Sequence, residues 1–232
     1  MNGRWTIIVP DHRAARPEWP WHEAARFSSM HGRLAGSGAT VWDVGAELGD
    51  HAAVFVQWGC RVVLLEPNPR AWPCIAATIE ANEAEGSIDG WWFGFVGAEG
   101  DTVDDRIGFD GWPTAAAGEC TERAGMAHLS GRPYPDPYPE QPTTSIDALV
   151  LAGLPRPDVL TIDVEGTELQ VLRGASATLD VLQPVVWLSI HPELMAGYGD
   201  DPDAIPALMA DFGYDGVLLG VDHEQHWRYD PR

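Results

Sequence analysis

The chain has 232 residues and a mass of 25.3 kDa, enough to bury one substantial core without staples. It carries 35 Asp and Glu against 14 Lys and Arg, giving a formal charge of -21 and a pI near 4.5, and all 14 cations are arginine. That balance excludes a duplex nucleic acid or an anionic membrane surface as partner, because both need clustered cations to neutralise phosphate. The absence of lysine also excludes a Schiff-base or P-loop lysine.

In chain order, Trp5–Val9 suits a short strand and about Trp21–Leu34 a helix, within an N-terminal extension over 1–38 that Gly36-Ser37-Gly38 closes. Ala39–Val44 reads as a buried strand and His51–Trp58 as a helix, with Gly59 as its stop. Arg61–Leu65 is a second apolar strand, closed by Glu66-Pro67-Asn68-Pro69; a helix over Ala71–Glu85 and a third strand at about Ile88–Val96 follow. Residues 97–143 break the pattern with Pro133, Pro135, Pro137, Pro139 and Pro142, and read as a long loop with one short strand, able to act as a lid. Ser145–Ala152 then reads as a short helix and Val159–Asp163 as a strand. Thr167–Leu182 is a helix on the spacing of Leu169, Leu172, Ala175 and Leu179; Val185–Ile190 is a strand and Asp203–Phe212 a helix. Tyr214–Val221 and Gln225–Tyr229 form a closing hairpin. Uniformly apolar strands alternating with helices predict an α/β fold, a parallel sheet with helices on both faces, in a single domain over 1–232.

Cys60, Cys74 and Cys120 form no CxxC, so a zinc ribbon or redox dithiol has no support. A disulfide framework is not expected in a chain of this length, and a reducing cytoplasmic setting is. The apolar run Trp5–Val9 is too short for a signal-peptide core, and no run approaches the roughly 20 apolar residues that cross a bilayer. No feature speaks to oligomeric state.

The ionisable residues gather at strand ends. The segment Asp43-Val44-Gly45-Ala46-Glu47-Leu48-Gly49-Asp50 falls where the first strand turns into its helix, the place where open parallel sheets bind ligands. Glu66 ends the next strand, 21 residues after Gly45, where a carboxylate can accept from both hydroxyls of a ribose. Gly45 and Gly49 are four apart, which breaks the dinucleotide pattern, and Asp43, Glu47 and Asp50 would repel a pyrophosphate. The turn suits a cofactor with a ribose, a cationic centre and no phosphate; S-adenosylmethionine has all three properties. Asp163 and Glu165 end the fourth strand and would face the same crevice, where they can orient or deprotonate a hydroxyl or bind a divalent metal. His191 ends the fifth strand as a candidate general base, whereas His223 and His226 in the closing hairpin read as surface residues.

These segments together resemble the FkbM family of S-adenosylmethionine-dependent methyltransferases. The resemblance rests on the D-V-G-A-x-x-G-D run at Asp43–Asp50, E-P-N-P at Glu66–Pro69 and I-D-V-E-G-x-E at Ile162–Glu168. Leu172-Arg173-Gly174-Ala175, Ser145-Ile146-Asp147 and Ile190-His191-Pro192-Glu193 add to it. It covers about residues 39–96 and 143–230. It implies a class I methyltransferase fold, a seven-stranded, mostly parallel sheet with an antiparallel last strand, and methyl transfer to a hydroxyl of a sugar or small natural product. It implies a cofactor site over Asp43, Gly45, Ala46, Gly49, Asp50, Glu66, Pro67, Val96, Gly97 and Asp163, and catalytic residues among Asp163, Glu165 and His191. The chain departs from the family's pattern at Glu47, where Asn is frequent, at Thr161, where lysine is frequent, and at Ser189, where Glu is frequent.

The expected activity is therefore O-methylation of a small-molecule or glycan acceptor, with Trp112, Tyr134 and Tyr138 of the long loop available to cover a sugar ring. No ligand spacing declares a metal. The rival reading is a cofactor-binding or scaffold protein that keeps the fold without the activity, supported by Glu47, Thr161 and Ser189. A nicotinamide-dependent reductase ranks last, because it needs the missing G-x-G-x-x-G.

Overall fold

Continuous apolar runs of five or six residues cannot be solvated on either face, so they stack as central strands with helices above and below. The computed structural model describes residues 6–8, 24–102, 104–120 and 141–232 of the chain. The expected strand over Trp5–Val9 and the prolines from Pro133 to Pro139, with Tyr134 and Tyr138, fall wholly or mostly outside the described residues.

The chain opens with α1 (Ala24–Leu34), β1 (Thr40–Val44), α2 (Asp50–Gln57), β2 (Arg61–Leu65), α3 (Trp72–Glu80) and β3 (Ile88–Trp92). Three short strands follow, β4 (Phe95–Val96), β5 (Ile107–Gly108) and β6 (Thr143–Thr144). The second half comprises α4 (Ile146–Leu151), β7 (Val159–Ile162), α5 (Glu168–Arg173), β8 (Val185–Ile190), α6 (Pro192–Tyr198), α7 (Ala204–Asp211), β9 (Tyr214–Val221) and β10 (Gln225–Pro231). The main sheet runs β5-β3-β2-β1-β7-β8-β10-β9. Its five central strands are parallel, β10 is antiparallel to both β8 and β9, and β5 is antiparallel to β3. It has eight strands where seven were expected, because two residues of the long loop join the edge beside β3. Strand order reverses at β1, which pairs with β2 on one side and β7 on the other.

The two faces bury different layers. One carries Trp42, Val63, Leu160, Ile162, Val186 and Leu188 beneath α4, α5, α6 and α7. The other carries Val41, Val62, Leu64, Val159, Val185 and Trp187 beneath Met30 and Leu34 of α1, Phe55 of α2 and Ile75 of α3. Each fully buried aliphatic or aromatic side chain contributes roughly 1.5–3 kcal/mol through area removed from water.

Several elements differ from the sequence reading for local reasons. The helix expected to reach Glu85 ends at Glu80, since Glu83 turns left-handed (φ 53°) and Ala84 N–H closes on Ile79 O. The strand expected over Ile88–Val96 stops at Trp92, and Phe95–Val96 leaves the sheet to pair with β6. The helix expected over Thr167–Leu182 breaks at Gly174, where the Gly97 carbonyl packs so closely that a Cβ would lie 2.0 Å from its oxygen; a five-residue π turn, Thr178–Leu182, completes the segment. α6 follows a proline at its first position, a start signal the sequence reading passed over.

The cysteine reading is also corrected. Cys74 of α3 and Cys120 form a disulfide across 46 residues, with Cα atoms 4.7 Å apart, while Cys60 is free and buried. The short turn Thr114–Ala116 packs on α3 and brings Cys120 back over that helix, a proximity that sequence spacing does not show. Among the described residues no helix is long and apolar enough to cross a membrane.

Candidate active site

The second face changes character along each strand. Side chains two apart share a face, and on this face Val41 is followed by Asp43, and Leu64 by Glu66. Val159 leads through Thr161 to Asp163, and Trp187 through Ser189 to His191. Parallel register aligns them: Asp43 pairs with Leu64 on one side and with Thr161 on the other. The apolar half of the face is core, and the carboxyl-terminal half is a row of ionisable groups at the strand-order reversal.

The first turn is built for close approach. Gly45 is left-handed (φ 88°), and a Cβ there would lie 1.9 Å from Asp163 O. Gly45 and Ala46 N–H both donate to Leu65 O (2.9 and 3.1 Å), and Gly49, also left-handed, precedes α2 as its N-cap. Asp50 opens α2 and is buried. Glu47 is left-handed despite its side chain (φ 44°), and its N–H donates to Glu66 Oε2 at 2.8 Å. Asn68 N–H, presented beyond Pro67, donates to Glu66 Oε1 at 2.7 Å. Burial still outweighs these two bonds and raises the Glu66 pKa to about 8. Asp43 is 2% exposed and its Oδ2 has no hydrogen-bond partner. Burial raises its pKa to about 7, against the opposing charges of His51 and Arg26. An acceptor-only oxygen left buried beside a glycine cradle fits a cationic, hydrogen-bond-donating ligand.

The second cluster surrounds His191. Its Nδ1 lies 2.7 Å from Glu168 Oε1, and its Nε2 lies 3.0 Å from Glu224 Oε2, 3.7 Å from Asp163 Oδ1 and 3.9 Å from Glu165 Oε2. Burial disfavours its charge, but the bonds with Glu168 and Glu224 and the charge of Asp163 prevail, and its pKa is pushed up to about 11. The surrounding carboxylates thus favour the protonated form of the ring His191 brings to the crevice. Glu165 is left-handed (φ 56°), and burial with three neighbouring carboxylates raises its pKa to about 7, against the charge of His191. Ligand atoms of Asp163, Glu165 and His191 lie within 4.8 Å of one another, so the three could hold a metal ion; Asp222, Glu224 and His226 form a second such group.

Three participants were missed. Arg26 of α1 is 1% exposed and donates to Thr161 Oγ1 and Ser189 Oγ (both 2.6 Å) and to Asp163 Oδ2 (3.3 Å). Glu224 comes from the turn between β9 and β10, and Glu168 sits at the start of α5. A signal for Arg26 exists: Arg26, Met30 and Leu34 form one buried stripe at i, i+4 and i+8, with the arginine where an apolar residue belongs. Thr161 and Ser189, polar within apolar strands, mark where its partners lie. His226 is 2% exposed, which corrects its surface reading, whereas His223 is exposed. The His226 ring contacts Ser189 Oγ (3.4 Å) and Asp222 Oδ2 (3.2 Å). Val96 and Gly97 lie in and beside the ribbon with β6, where Gly97 N–H donates to Thr144 O. Trp112 donates to Glu80 Oε1 on the far end of α3.

Comparison with known proteins agrees with this architecture. The curated hexuronic acid methyltransferase AglP of Haloferax volcanii is 30% identical over 173 residues, covering 74% of this chain; the chain spans 61% of that relative's length. An FkbM methyltransferase from Methylobacillus flagellatus superposes with a TM-score of 0.50 at 16% identity, over 83% of this chain and 43% of its own. A precorrin-6y C5,15-methyltransferase from Geobacter metallireducens gives 0.50 at 14% identity, over 99% and 100%. An O-methyltransferase family protein from Burkholderia thailandensis gives 0.52 at 10% identity, over 90% and 56%. These likenesses establish the class I methyltransferase fold. The family model for the methyltransferase FkbM domain matches residues 43–215, from the buried aspartate of the first turn to the start of the closing hairpin. With that span covering most of the chain and both acidic turns, the chain belongs to the FkbM methyltransferase family.

Proposed function

We propose that this protein is an S-adenosylmethionine-dependent methyltransferase that O-methylates a hydroxyl of a sugar or small natural product. The observation that carries it is the buried, unpartnered Asp43 oxygen beside the left-handed Gly45 turn, one strand away from Glu66. In this reading Asp43 and Gly45 line the methionine end of the cofactor, and Glu66 accepts from the ribose hydroxyls with the lone pairs that Glu47 and Asn68 leave. When bound, S-adenosylmethionine supplies a methyl group already activated on a sulfonium. The chain's residues then align the acceptor and manage its proton.

Glu165 is the proposed general base. Its raised pKa lets a carboxylate accept a hydroxyl proton near neutrality, and its side chain is 17% exposed at the crevice. Asp163 orients the acceptor, while His191 is held in place by Glu168 and Glu224. A sugar acceptor is further supported by the relative named a hexuronic acid methyltransferase. The residues that favoured an inactive scaffold have partners here: Thr161 and Ser189 accept from Arg26, and Glu47 N–H holds Glu66.

Isothermal titration with S-adenosylmethionine tests the reading. Micromolar binding is expected, weakened at least tenfold by Asp43→Ala and by Glu66→Ala, a loss of about 1.4 kcal/mol or more. No binding to the folded protein would sink it. A second reading adds a divalent cation at Asp163, Glu165 and His191, favoured by the closeness of their ligand atoms. Titration with magnesium and manganese decides that reading, and heat absent from both removes it.

A further inference from the structure

The helix that carries Arg26 lies outside the matched family domain, which begins at residue 43. Its stripe nevertheless runs along the face that bears the site. Met30 and Leu34 pack on the apolar half, and Arg26, one turn earlier, reaches the ionisable half. There the guanidinium joins two adjacent parallel strands by donating to Thr161 on β7 and Ser189 on β8, and it meets the outer oxygen of Asp163. A planar fork with fixed donors suits that span; an ammonium would meet it only as a point charge. A guanidinium buried this far is costly unless paired, and Thr161, Ser189 and Asp163 lie in or beside the row of strand-end groups.

We propose that Arg26 is a positioning residue of the methyl-transfer site: it ties β7 to β8, fixes Asp163 toward the crevice, and sets a fixed positive charge among the carboxylates that receive the cofactor's cation. The proposal rests on the reading of the site as an S-adenosylmethionine site. Around the guanidinium stand Asp43 on β1, Asp163 after β7, Glu224 and His226 from the hairpin and His191 after β8; His51 of α2 faces Asp43. Arg26 lowers the pKa of Asp43 and of Glu224 from what burial alone would set. Removing it moves the ionisation of Asp43 to higher pH, so the protein should lose its grip on a cationic ligand earlier as pH falls.

The experiment is titration of the full chain with S-adenosylmethionine from about pH 6 to about pH 8.5, for wild type, Arg26→Met and Arg26→Lys. Arg26→Met should weaken binding about tenfold near pH 6.5, with the gap closing toward pH 8.5. Arg26→Lys should keep the wild-type pH dependence, because the charge stays. Equal binding by Arg26→Met and wild type at all pH overturns the proposal, and so does a loss of the same size at every pH, which is the mark of a structural role. If Arg26→Met does not fold, the double variant Thr161→Val, Ser189→Ala decides. It removes the anchors that hold the guanidinium beside Asp163, and is expected to weaken binding about fivefold near pH 6.5 with the gap narrowing toward pH 8.5; unchanged binding, or an equal loss at every pH, overturns the proposal. Failure of wild type to bind rejects instead the cofactor reading on which the proposal rests.

Discussion

Glu165 and His191 stand at the same crevice in different surroundings. His191 has a carboxylate at each ring nitrogen, and Glu165 is crowded by burial and like charge into the neutral range. Glu165→Gln should therefore lower kcat by roughly 10²-fold or more and abolish an acid limb near pH 7, with little change in cofactor affinity. A pH–rate profile of the variant beside wild type checks this. Glu47 is a second residue whose identity its backbone judges. A left-handed φ of 44° disfavours glutamate and suits asparagine, the residue frequent in the family at this position. Glu47→Asn should keep the backbone N–H bond to Glu66 and raise stability by about 0.5–1 kcal/mol, read by urea unfolding.

At the scale of elements, the strands were legible and the contacts between distant segments were not. Arg61–Leu65 and Val185–Ile190 match their expected bounds residue for residue, because runs of buried β-branched and aliphatic residues have one stable place in an α/β layer. The acids near their carboxyl ends were legible as residues too, since Asp43, Glu66 and Asp163 interrupt or follow apolar runs, although Asp43 and Glu66 are themselves buried. Arg26 and Glu224 were not, because each reaches the site from a chain end through tertiary packing that periodicity alone does not reveal. The Cys74–Cys120 bond belongs to the same class: it closes a 46-residue separation that spacing could not pair. It tethers the segment at Cys120 to α3, and both cysteines pack against Leu48 of the first turn. Chain-entropy reasoning gives such a cross-link up to about 4 kcal/mol, so reduction with dithiothreitol should lower Tm measurably. An equal Tm with and without reductant would show that the bond does not stabilise the native state.

Across the whole molecule, the charge of -21 and the buried titrating groups act in the same direction. Asp43, Glu66 and Glu165 have folded-state pKa values of about 7, 8 and 7, above their ordinary values. An acid raised on folding binds protons more tightly in the native state, so each costs stability as pH climbs from its unfolded value through its folded one. His191, raised to about 11, contributes stability that is complete below its unfolded value of 6.5 and drains away as pH rises toward 11. Glu224 and Asp222 are depressed and work oppositely, but their stabilisation is lost only as pH falls below the ordinary carboxylate range. The cofactor-free protein should therefore be most stable at acidic pH, about 4 to 5, and its Tm should fall from there toward pH 8.5. Added salt should narrow that fall where surface repulsion contributes and leave the buried part intact. Glu66→Gln, which removes the largest of the three carboxylate shifts, should flatten the profile between pH 6 and 8. A Tm that instead rises through this range would mean that these carboxylates are ionised in the folded chain before any cationic ligand arrives.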